Sequence, residues 1–172
     1  MPVGRKMRDC RYPALFFIVF ACWIFCCGLA PAAPVFSARV VKVIDGDSLG
    51  VIGSTGEKRE LRLWGIDAPE SRQRYGKQAK MLLAAMVQER RVEVQGKDID
   101  VYNRLVALVW VDGALVNEEL VRQGAAWVYE YFCRERICDR WQRLQEEARY
   151  ERRGLWAWPK PRPPWRYRKK NA

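Results

Sequence analysis

The sequence contains no histidine. That absence removes imidazole zinc sites, histidine general bases and every nuclease chemistry built on a catalytic histidine, and leaves catalysis to carboxylates, arginines, tyrosine or a metal. Cysteine is scarce in the part that would fold. Of six cysteines, Cys10, Cys22, Cys26 and Cys27 fall in the first 32 residues, and only Cys133 and Cys138 lie beyond. The middle of the chain also lacks a charge imbalance, although the whole chain carries +11. Residues 33–158 hold 21 bases against 19 acids, whereas residues 159–172 hold six bases and no acid. A basic patch on the body would have to come from arrangement, and the net charge by itself points only to a polyanionic partner.

The 172 residues, 49% of them hydrophobic, are enough for one domain with a single core. A basic start is followed by "ALFFIVFACWIFCCGLA" (Ala14–Ala30), uncharged and apolar, and Ala30 and Ala32 form an A-x-A pattern. Residues 1–32 therefore read as a signal peptide cleaved before Ala33, or as an uncleaved membrane anchor through residues 14–30. Bulky Phe25 or Cys26 ahead of the candidate cysteine argues against lipidation at Cys26 or Cys27. Both main readings put the domain outside the cytoplasm, secreted or in the cell envelope. In an oxidising compartment Cys133 and Cys138 are expected to close a short disulfide loop before the last helix; on one regular helix their offset of five would point them apart.

"FSARVVKVI" (Phe36–Ile44), rich in β-branched residues, the turn "DGDS" and "LGVIGSTGEKRELRLWGI" read as a three-strand meander. Ala79, Leu82, Leu83, Met86 and Val87 then repeat with helical period. Strand patterns return in "RRVEVQG" and "RLVALVWV" (Arg104–Val111), followed by a short helix near Leu115–Gln123 and a last helix through Ile137, Trp141, Leu144 and Ala148. Five strands interrupted by a helix after the third predict an α+β fold, a five-stranded OB-type Greek-key barrel with three α-helices over residues 33–158. "PKPRPPWRYRKKNA" (residues 159–172) has four prolines and no apolar periodicity, so a disordered tail is expected.

Three clusters carry the candidate chemistry. Asp45 and Asp47 sit in the turn between the first two strands; Asp67 and Glu70 flank Pro69 after the third, with Arg62 upstream; "DVYNR" (Asp100–Arg104) opens the fifth. Each alone is an ordinary turn or strand end. Together, strand ends meeting at one barrel mouth assemble carboxylates with two arginines. Such an oxygen-only set suits Ca²⁺ or Mg²⁺, and arginines beside it suit a phosphodiester. Glu70 is placed to orient or deprotonate a water.

"VIDGDS", "LRLWGIDAPE", "YGKQA", "DVYNR", "VNEELVRQGAAWVY" and "LQEEARYERRGLW" occur in the order and spacing of the thermonuclease family of staphylococcal nuclease-like domains, which the chain resembles over about residues 36–156. The resemblance implies an OB-fold barrel and Ca²⁺-dependent hydrolysis of DNA and RNA that leaves 3′-phosphate ends; no obligate protein partner is inferred. It makes Asp47, Asp67 and the Ala68 backbone carbonyl the metal ligands, Glu70 the water-activating group, and Arg62 and Arg104 the phosphate-binding pair. Asp45 becomes an outer acid, and Tyr102 a residue near the terminal phosphate or base. Ala68 and Ser48 stand where threonine is usual and Asn103 where glycine is; asparagine tolerates the positive φ such a turn needs. The alternative is a nucleic-acid- or protein-binding module of the same fold, but such domains usually lack several of the acids and arginines kept here. Trp127, Tyr129 and Tyr131 are expected to pack rather than to stack bases. The basic tail, with Trp165 and Tyr167, could hold nucleic acid, hold an anionic envelope surface, or keep the chain soluble.

Overall fold

Alternation along β1 (Val35–Val43) sends Ala38, Val40 and Val43 inward, and a bulge between Val40 and Lys42 shifts its register against β2 (Ser48–Gly53). In the computed structural model Met1 and residues 35–171 are described. The expected leader and its possible tether therefore lie outside the described residues. Strand β2 pairs antiparallel with β3 (Lys58–Leu63), β1 with β5 (Arg91–Ile99), and β5 with β6 (Leu105–Val111). Parallel pairing of β3 with β6 closes the sheet into the expected five-stranded barrel, a closure that leaves no long open edge.

Three shorter strands complete the set. β4 (Ile66–Asp67) pairs with β8 (Trp127–Val128), which matches Asp67 to Trp127, and β7 (Ala114–Leu115) extends β6. Helix α1 (Gly76–Val87) buries Ala79, Leu83 and Val87 against the barrel; α2 (Val116–Arg122) and α3 (Arg136–Tyr150) cover the rest of that core. A smaller cluster of Trp127, Ala148, Leu155 and Trp156 forms around the 3₁₀ turn Gly154–Ala157. Among the described residues no helix is long and apolar enough to cross a membrane.

Two expectations change. Among the described residues there are four α-helices, not three, because part of the tail expected to be disordered forms α4 (Pro164–Asn171) within the same compact unit as the barrel. Two of the prolines assist it: Pro164 occupies the first turn, where a missing N–H costs nothing, and the Pro163 carbonyl accepts from the Arg166 and Tyr167 amides. It is held from outside rather than by an apolar stripe of its own: Trp165 stacks on Tyr129 at 5.0 Å with planes 4° apart and meets Trp127 edge-on, while Gln73 Nε2 donates to the Arg162 carbonyl at 2.5 Å.

The disulfide joins Cys133 to Cys138 across a Cα–Cα distance of 5.7 Å. Cys133 precedes the helix and Cys138 lies in the first turn of α3, so the two need not point apart.

Asn117 ties the helical layer to the barrel: its side-chain oxygen accepts from the Val109 amide at 3.1 Å, and its amide group donates to the carbonyls of Trp64 at 2.9 Å and Ala107 at 3.2 Å. All are buried, so the loss cannot be repaired by water. Asn117→Leu should lower unfolding free energy by about 2–3 kcal/mol in denaturant titrations; a loss below about 0.5 kcal/mol would show the network to be dispensable.

Candidate active site

Asp47 is aimed by its turn. The Asp45 carboxylate accepts from the Asp47 amide at 3.0 Å, and the Asp47 carbonyl accepts from Leu63 N at 2.9 Å, which clamps the turn to the end of β3. A Cβ at Gly46 would stand 2.7 Å from Ala68 Cβ and 3.0 Å from Ala79 Cβ, so only glycine lets the turn lie this close to α1. The Asp47 carboxylate is thereby 5% exposed. Oδ1 accepts from Ser48 Oγ at 3.1 Å, and Oδ2 from the Ala68 amide at 2.6 Å.

Asp67, 1% exposed, is carried by β4. Arg62, on β3, lies between the two aspartates: Nη1 is 2.5 Å from Asp47 Oδ2 and Nη2 donates to Asp67 Oδ1 at 2.7 Å. Nη1 is buried and is held to Asp47 by charge rather than by an aligned hydrogen bond. One guanidinium faces two carboxylates in a dry setting. Burial, with Asp45 and Asp67 nearby, pushes the Asp47 carboxyl up to about 8 against the pull of Arg62. Burial also raises Asp67, although Arg168 and Arg62 oppose it. Asp45 goes the other way: burial raises it, but bonds from Asp47 and Ser48 outweigh that and hold it low.

Glu70 follows two residues after Ala68, half-exposed at the mouth. Its backbone is packed so tightly against the start of α1 that a Cβ at Gly76 would overlap the Glu70 carbonyl. Arg104 donates Nε to Asp100 Oδ2 at 2.8 Å and places Nη1 3.5 Å from Ser48 Oγ, directing it toward the Asp47 side of the site. Burial raises Asp100, but the Arg104 and Tyr102 hydrogen bonds prevail and hold its carboxyl below the usual range. Asn103 adopts φ 63°, so the turn that aims Arg104 survives the replacement of glycine. Tyr102 is 77% exposed; its ring lies against Arg104 and its amide donates to Asp100 Oδ1 at 3.0 Å. With Lys58, Arg59, Glu60, Asn103 and Arg104 it lines a cleft of about 520 Å³, which shares Arg104 with the site.

One contact has no signal in the sequence. Arg168 of α4 reaches the carboxylates, with Nη2 2.9 Å from Asp67 Oδ2 and Nη1 3.2 Å from Asp67 Oδ1 and 2.6 Å from Glu70 Oε1. Nothing in a proline-rich basic run distinguishes Arg168 from its neighbours; only the docking of Trp165 does. The aromatic expectation holds for Trp127, which is buried, but Tyr129 gives a face to Trp165 and Tyr131 stands 67% exposed.

Among the described residues no three acidic or thiolate groups form a closed metal cluster. The donor chemistry nonetheless fits a hard dication: oxygen ligands only, an excess of buried negative charge, and a guanidinium already standing among the Asp67 and Glu70 oxygens.

A family model described as staphylococcal nuclease homologue matches residues 60–158. The chain is 39% identical over 151 residues to protein ParB of Escherichia coli, covering 83% of this chain and 84% of that one. It is 36% identical to an uncharacterized endonuclease of Escherichia coli O157:H7 (92% and 97% covered) and 33% identical to micrococcal nuclease of Shigella flexneri (83% and 87%). The chain belongs to the staphylococcal nuclease homologue family.

Removing Arg62 leaves two buried carboxylates facing each other. Arg62→Met should cost about 3 kcal/mol near neutral pH. The variant's carboxyl pKa values rise further in the folded state, so stability gained by holding those protons is present at low pH and lost as pH rises through them; the deficit should shrink on acidification. Denaturant unfolding at two pH values checks both, and a deficit independent of pH would contradict the charge argument.

Proposed function

We propose that the protein is an exported Ca²⁺-dependent nuclease that hydrolyses phosphodiester bonds in DNA and RNA with little sequence specificity and leaves 3′-phosphate ends. The observation that carries the reading is the buried pair Asp47 and Asp67 sharing one arginine, with Glu70 at the mouth and Arg104 approaching from the other strand. Asp47, Asp67 and the Ala68 carbonyl would hold the ion, with Asp45 behind them. Bound there, Ca²⁺ would supply positive charge to the non-bridging oxygens of the scissile phosphate.

The other roles belong to the chain itself. Arg62 and Arg104 would donate to the non-bridging oxygens, most strongly as charge builds at phosphorus. Glu70 accepts a proton from the attacking water. Loss of the 5′-oxygen leaves the phosphate on the 3′ side. Tyr102 and the basic wall of the neighbouring cleft would guide the strand by stacking and charge, without reading base edges, which accounts for low sequence specificity. Export is supported by the Cys133–Cys138 bridge, which needs an oxidising compartment, and agrees with residues 1–32 as signal peptide or anchor.

Digestion of single-stranded DNA with Ca²⁺ and with chelator tests the reading directly. Cleavage should require Ca²⁺ and fall by about 10²–10⁴-fold in Glu70→Gln, and Arg104→Ala should lose about 10²–10³-fold with the fold intact. Binding of DNA without cleavage would move the chain to the binding-module class. Because Asp47 must give up its proton to hold a cation, Ca²⁺ affinity measured calorimetrically should rise as pH climbs towards about 8 and level off above it; affinity that is flat with pH would remove Asp47 from the ligand set.

A further inference from the structure

We propose that α4 is a built-in cap, in which Arg168 occupies the cation position at Asp67 and Glu70 while Trp165 covers Tyr129, so that the metal must displace the helix to enter. Three contacts from one guanidinium engage both oxygens of Asp67 and one of Glu70. In that state Glu70 is committed to Arg168 rather than to a water, and Asp67 is neutralised from both sides, by Arg62 and by Arg168. The anchoring ring lies parallel to Tyr129 at 5.0 Å, so one short helix is held both by a charge inside the site and by a ring outside it.

The cap is built to leave. Arg168 is 45% exposed along its side chain and α4 has only eight residues with no apolar stripe, so its hold rests on a few outside contacts: Arg168 on Asp67 and Glu70, Trp165 against Tyr129 and Trp127, and Gln73 on the Arg162 carbonyl. Arg166, Lys169 and Lys170 point to solvent and offer a polyanion a grip on the same helix. A protein whose competent state is populated only when the helix is off binds its cation with an affinity reduced by that fraction.

The inference rests on the Ca²⁺ reading of the site. Its test is calorimetric titration of Ca²⁺ into the full chain, without nucleic acid, for wild type, Arg168→Gln, Trp165→Ala and Lys170→Gln. Arg168→Gln and the charge-neutral Trp165→Ala should each bind about tenfold more tightly than wild type, and Lys170→Gln within about twofold of it. In wild type, Ca²⁺ should also speed amide exchange over residues 164–171. Arg168→Gln alters a partly exposed side chain outside the barrel core, so the test does not hang on the folding of Trp165→Ala. Equal affinity in wild type and Arg168→Gln, or an equal gain in Lys170→Gln, would overturn the cap while leaving Ca²⁺ binding in place. No binding by any of the four would overturn the cap and the Ca²⁺ reading together.

Discussion

A single buried guanidinium between two buried carboxylates sets the terms for the rest of this molecule. Arg62 cannot neutralise Asp47 and Asp67 at once, and water is too remote to share the charge. Everything around the pair lessens the deficit: the Ala68 amide and Ser48 hydroxyl on Asp47, Arg168 on Asp67, and Arg104 approaching behind Ser48. A site so arranged would gain from further positive charge, and the excess that burdens the fold is what would draw a cation to it under the proposed function.

The barrel makes that arrangement achievable. β3 delivers Arg62; the turn before β2 delivers Asp47; the tiny β4–β8 sheet pins Asp67 against Trp127. Contacts between small groups set the spacing, with Gly46 resting on Ala68 and Ala79 and Gly76 against the Glu70 carbonyl. The polar side chains therefore have little freedom to drift, as electrostatic catalysis requires. On the far side, the disulfide and Trp127 hold the Tyr129–Phe132 segment on which α4 settles.

Much of this is legible in the amino-acid sequence. Strand alternation in "FSARVVKV" and the 3.6 period from Ala79 to Val87 are local signals, and both elements form where those patterns place them. Asp47 and Asp67 meet on Arg62, with Arg104 reaching Ser48 beside Asp47 and Glu70 three residues beyond Asp67, because strand ends share a barrel mouth. Less legible are the two-residue strands β4 and β8, whose existence depends on each other rather than on propensity. α4 escapes the pattern for a related reason: the tail has no apolar stripe, and its order comes from Trp165 and Arg168 finding partners about 36 and 100 residues away in sequence. Periodicity describes how a helix buries itself on its neighbours and does not register one held by a ring and a charge.

The claim on which the rest depends is that the Asp47–Asp67 pair, left with Arg62 alone once Arg168 is displaced, takes up a dication. Thermal unfolding of the full chain with and without Ca²⁺ addresses it without invoking catalysis. A saturable rise in midpoint is expected for the wild type, and a much smaller one for Asp67→Asn, since a ligand bound only to the folded state stabilises it by mass action. An unchanged midpoint at saturating Ca²⁺, or an equal rise in Asp67→Asn, would contradict it.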